Sequence, residues 1–120
     1  MAQRRRVDVA AGRAAVAAWR ADPAGAGRDV VGTAVRYSLE ELAARSPGNS
    51  TEVRVPPYGV VQCVPGPRHR RGTPPNVVET DAATWLALVT GGETWPAAVA
   101  AGRLRASGER SDLSALLPLA

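Results

Sequence analysis

The residues able to carry chemistry are few: one histidine, one cysteine and a small cluster of arginines. His69 lies in Arg68-His69-Arg70-Arg71, where cationic neighbours disfavour a protonated imidazole and no carboxylate or nucleophile stands beside it. It reads as a loop histidine rather than a general base. Cys63 falls on the apolar side of a strand pattern and reads as a small core residue, since a reactive thiolate needs a cation or a helix N-terminus next to it. One Cys and one His allow no disulfide within the chain and no multi-ligand metal site. The run from Gly66 to Gly72 holds basic residues without the Gly-Lys-Ser or Gly-x-Gly-x-x-Gly order of a phosphate cradle, so no nucleotide cofactor is expected. Two roles are open for Arg68, Arg70 and Arg71: donors to an anionic head group, or a solvated surface loop.

Composition bounds the remaining function classes. The chain has 120 residues, 45% of them apolar, with no Phe, three Trp and much Ala and Val. That length forms a single domain over 1–120 that buries about two-thirds of its unfolded surface. Small side chains bury little area each, so the Trp residues carry a large share of burial. All 15 basic residues are Arg and the net charge is +4, which attracts anions at long range. Nucleic-acid binding is not expected, because no helix-turn-helix, RNA-recognition or zinc pattern accompanies the charge. Asp8 and Arg13 interrupt the N-terminal apolar run, so neither a signal peptide nor integral membrane association is expected, and the expected location is cytoplasmic.

The elements that must position these residues follow from periodicity. Residues 1–6 read as a basic disordered tail, and 8–45 as a helical part. In the first helix, Asp8 to Ala21, Val9, Val16 and Trp19 share a face, with Arg13 and Arg20 near its edge. In the second, Asp29 to Arg45, the stripe is Val31, Val35, Leu39 and Leu42. Thr51 to Pro56 and Val60 to Val64 alternate as strands around Pro57-Tyr58-Gly59, a three-residue hairpin loop with Gly59 left-handed. This register pairs Val55 with Val61 and Val53 with Cys63 on the core face. Asn76 to Thr80 reads as a third strand.

Asp81 caps a third helix, whose face carries Trp85, Leu88 and Val89 and whose end is Gly91-Gly92. Thr94 caps a fourth, with Trp95 and Pro96 in its first turn and Ala98 and Val99 on its apolar side. Arg103 to Ser107 alternates as a half-buried strand with Leu104 and Ala106 inward. The chain ends in a helix over Ser111 to Leu119 of about two turns. Grouped helices and a mainly antiparallel sheet of about four to five strands make an α+β layer.

The run of acidic cap, Trp85, Leu88, Gly91, Pro96, Ala97, Gly102, Arg103, Leu104, Gly108 and a Leu-rich end resembles the sterol-carrier-protein family, in particular its small stand-alone bacterial branch. The resemblance extends back through Glu52 to Cys63 to about Ser46, so 46–120 carries it. The first 45 residues do not match the N-terminal part of the better-known eukaryotic carriers. The resemblance implies an α+β fold that is not an enzyme and binds or transfers a lipid or other apolar small molecule in a cavity between sheet and helices. The residues it would place there are Val53, Val55, Val61, Trp85, Val89, Trp95, Leu104 and Leu116. The same residues could instead fill the core, leaving a structural or interaction module that assists an enzyme as a protein partner. A third reading, an enzyme like the thiol-dependent isomerases or acetyltransferases that carry attached domains of this fold, lacks a catalytic constellation in the sequence.

Overall fold

A computed structural model describes residues 5–66 and 75–119. The order is α1 (Val9–Ala21), α2 (Arg28–Arg45), β1 (Thr51–Val55), β2 (Gly59–Cys63), β3 (Asn76–Thr80), α3 (Ala82–Thr90), α4 (Trp95–Ala100), β4 (Leu104–Ser107), and a single 3-10 turn, Ser114–Leu116. The fold is α+β. Four strands form one sheet in the order β2-β1-β3-β4, antiparallel except for the central β1–β3 pair, which is parallel. On β1 and β3 every second residue is buried under the helices, while Glu52, Arg54, Val77 and Glu79 alternate toward the open face.

The helix boundaries follow from their caps. Asp8, Asp81 and Thr94 each accept a hydrogen bond from the amide three residues on, and Gly91 closes α3 in the left-handed conformation. α1 lies against α2 at close range because of Gly12: a Cβ there would stand 2.2 Å from Tyr37 Cγ. α2 in turn rests on β2 and α3. The core between sheet and helices gathers Val35, Leu42, Val53, Val55, Val78, Trp85, Leu86 and Leu113, all fully buried.

Several expectations are corrected. The hairpin loop is Pro56-Pro57-Tyr58, with Val53 opposite Val61 and Val55 opposite Gly59. Pro56 has no N–H with which to extend the ladder, and the Tyr58 amide closes the turn on the Val55 carbonyl at 2.9 Å. The slip is two residues, so the same side chains face the core. Gly59 is a strand residue whose missing Cβ admits Leu39 Cδ1 at 3.1 Å from that position. Val99 is exposed, since Ala98 alone fills the buried side of the short α4. Ala106, opposite Val78 on edge strand β4, is exposed as well; that strand is buried only at Leu104.

The terminal helix is reduced to one turn because Asp112 Oδ1 captures the Ser114 amide at 2.9 Å and Pro118 bars continuation. Arg5 and Arg6, read as part of a loose tail, are tied to α2: Arg5 pairs with Glu41, and the amides of Arg6 and Val7 donate to the Glu40 carboxylate. Among the described residues no helix is long and apolar enough to cross a membrane, and no group of His, Cys, Asp and Glu could hold a metal.

Candidate functional site

The residues singled out from the sequence converge on one core rather than on one hollow. Val53, Val55 and Val61 line the inner side of β1 and β2, Trp85 and Val89 the inner side of α3, Trp95 opens α4 and Leu104 opens β4. All are buried in a single apolar cluster, with half-buried Leu116 packed against it. Trp85 is wholly buried there, and its Nε1 donates to Ser38 Oγ at 2.8 Å. Cys63 is likewise wholly enclosed, and burial pushes its thiol up to about 12. Arg68, His69, Arg70 and Arg71 lie outside the described residues.

A cleft of about 380 Å³ lies where α1 meets α2 and α3. Val16, Ala17, Tyr37, Ser38, Val89 and Leu119 line it, and of the residues expected to hold a ligand only Val89 is among them. Val16, Tyr37 and Val89 are buried, so its walls are part of the core surface. Leu119 closes one end, held by its amide to the Val89 carbonyl at 2.9 Å and by Arg45 Nη2 to its own carbonyl at 2.9 Å. The charged rim is Arg13, Arg20, Glu41 and Arg45. Glu41 accepts from Arg5 at 2.7 Å and from Arg45 at 2.8 Å, and these two guanidiniums, Arg5 first, hold its carboxyl below the usual range.

A larger hollow of about 590 Å³ lies between the N-terminal segment, α2 and the hairpin, and includes Val61. Like the smaller cleft, it combines apolar and charged lining residues. Arg6, Arg36 and Glu40 are among its lining residues, the Glu40 carboxylate is already engaged by backbone amides, and Val60 stands out in solvent. Both volumes fall in the range of ligand sites, roughly 300–1,000 Å³, and the smaller cleft has buried Val16, Tyr37 and Val89 in its walls.

The cleft was not foreseen, although its signal is present in the sequence. Arg13, Val16, Ala17 and Arg20 recur at three, four and seven residues, which places them on one stripe of α1. The stripe is apolar in its middle and cationic at both ends. Only the docking of α1 on Tyr37 turns it from a helix edge into a wall.

Among the described residues, four helices and one four-stranded mixed sheet make this an α+β domain. Residues 27–119 match the family described as Bacterial SCP ortholog, and the chain belongs to that bacterial sterol-carrier-protein-like family. The match takes in α2, which the sequence resemblance had left out, whereas α1 precedes it. Comparison with curated proteins gives no match.

Proposed function

We propose that the chain is a non-enzymatic carrier that binds a lipid or other apolar small molecule in the cleft between α1, α2, α3 and Leu119. The observation that supports this reading most is the 380 Å³ cleft with buried Val16, Tyr37 and Val89 in its walls, in a chain of the sterol-carrier-like family. Removal of ligand surface from water would drive binding, at roughly 25 cal/mol per Å². The ionisable groups of the lining are three guanidiniums, the Tyr37 phenol and one carboxylate already engaged by arginines, a set fit to hold a head group and without an imidazole or free carboxylate for proton transfer. The working location in this reading is the cytoplasm, in keeping with a single buried thiol.

The filled interior favours a second reading. Where sheet and helices meet, Trp85 and its neighbours occupy the space, which suits an interaction module that serves a protein partner. Titration with phenylnaphthylamine, a neutral apolar fluorophore, separates the two. A carrier gives saturable binding of one equivalent, and Ala17→Trp, which fills the cleft from an exposed helix position, weakens it at least about tenfold with melting unchanged. Absence of saturable binding, or equal binding by the variant, removes the carrier reading for this cleft and leaves the module.

A further inference from the structure

We propose that the cleft selects an amphiphile with an anionic head group, carboxylate or phosphate, held by Arg13 and Arg20 of α1 while the tail lies over Val16, Ala17 and Val89. This rests on the carrier reading of the same cleft and adds the class of ligand. The lining holds three guanidiniums against one carboxylate, an excess of two positive charges around an apolar floor. Of these three only Arg45 is committed to a described residue, and Arg5, outside the lining, shares its carboxylate. Arg45 bonds Glu41 and the Leu119 carbonyl, and Arg5 takes the other oxygen of Glu41, so that carboxylate is already matched. Arg13 and Arg20 make no ion pair with any described residue. They are exposed, two helical turns apart, about 10 Å along α1, with Val16 and Ala17 between them.

A neutral ligand would leave both guanidiniums with water alone. An anionic head at the mouth accepts charge-assisted hydrogen bonds from them while its tail covers the apolar stretch. Arginine suits either anion, since its planar fork matches carboxylate and phosphate alike. Both cations stand on α1, which precedes the part of the chain that matches the family. Head-group choice is thereby assigned to an element added ahead of that region.

The test compares dodecanoate, dodecyl phosphate, dodecanol and dodecyltrimethylammonium, each below its micelle concentration, by displacement of phenylnaphthylamine from the full chain. Tighter binding of one or both anions than of dodecanol, by about tenfold, with the cation weakest, is the expected result. The tighter anion names the head group. The double variant Arg13→Gln/Arg20→Gln should lose that advantage and keep the affinity for dodecanol, and Arg13→Lys/Arg20→Lys should retain most of it. Equal binding of dodecanol and both anions overturns the head-group assignment while the cleft reading stands. So does an anion advantage that survives the double Gln variant. No binding of any of the four by a protein that melts cooperatively overturns both.

Discussion

The indole Nε1 of Trp85 donates a hydrogen bond to Ser38 Oγ over 2.8 Å, and Ser38 Oγ donates onward to the Val35 carbonyl at 2.9 Å. This chain ties α3 to the middle of α2 beneath the cleft, because Ser38 is also one of the cleft residues. The ring is a core residue, and its polar edge reaches the cleft through one hydroxyl.

Trp85→Ala should therefore lower stability by about 3–5 kcal/mol in urea unfolding, the range for removing a large buried aromatic. Ser38→Ala leaves the indole N–H buried without its acceptor and should cost about 1–3 kcal/mol. A loss below about 1 kcal/mol for Trp85→Ala would mean that the ring borders a void rather than a packed core.

Gly12 should prove costly to replace. In an exposed helix Gly→Ala gains up to about 1 kcal/mol. Here the new methyl would meet the ring and Cβ of Tyr37, the nearest contact at 2.2 Å, so α1 must move away from α2. Gly12→Ala is expected to destabilise by about 1–3 kcal/mol and to weaken probe binding, since Tyr37 is a wall of the cleft. A stabilised variant would show that the two helices are not in close contact.

Cys63 should resist thiol reagents at pH 8 until denaturant unfolds the chain, because it is wholly buried on β2. Its thiol is pushed up from 9.0 to about 12 in the folded state by burial. The proton is held more tightly in the fold, so this contribution to stability is complete below pH 9 and is lost as pH rises toward 12. Cys63→Ala should lower stability at neutral pH and show a shallower alkaline decline than the parent. Rapid labelling of the native protein would contradict the burial.

The C-terminal segment should separate into a core part and a cover. Truncation after Asp112 removes Leu113, which is fully buried, and should cost at least about 2–5 kcal/mol. Truncation after Pro118 removes only Leu119 and Ala120, with the hydrogen bonds from the Leu119 amide to Val89 and from Arg45 to the Leu119 carbonyl. It should cost no more than about 1–3 kcal/mol while markedly weakening phenylnaphthylamine binding. Undiminished binding by that variant would show that Leu119 does not wall the ligand.

The strands and helices were legible because their signals are local. The caps at Asp81 and Thr94 and the stop at Gly91 are side-chain and backbone features of single turns. The alternation in Thr51–Val55 marked the core face even though the hairpin register differed by two, because an even slip preserves it. What the sequence did not show depends on distant partners. Ala106 and Val99 have apolar side chains but no element packed over them. The terminal Leu run has helical spacing, yet Asp112 and Pro118 confine it to one turn. The cleft needed Gly12 to bring α1 onto Tyr37 and Arg45 to fasten Leu119, contacts spanning 25 and 74 residues of chain, which no local pattern encodes.

The most direct test of the carrier reading is where an apolar ligand touches the chain. Photolabelling the full-length protein with a diazirine-bearing dodecanol, followed by peptide mapping, should modify α1 around Val16 and Ala17, Val89 or Leu119, the walls of the cleft. Excess unlabelled dodecanol should suppress the labelling, and Ala17→Trp should abolish it. Labelling confined to the hairpin or to α4 around Trp95, or labelling that excess dodecanol does not suppress, would contradict the account.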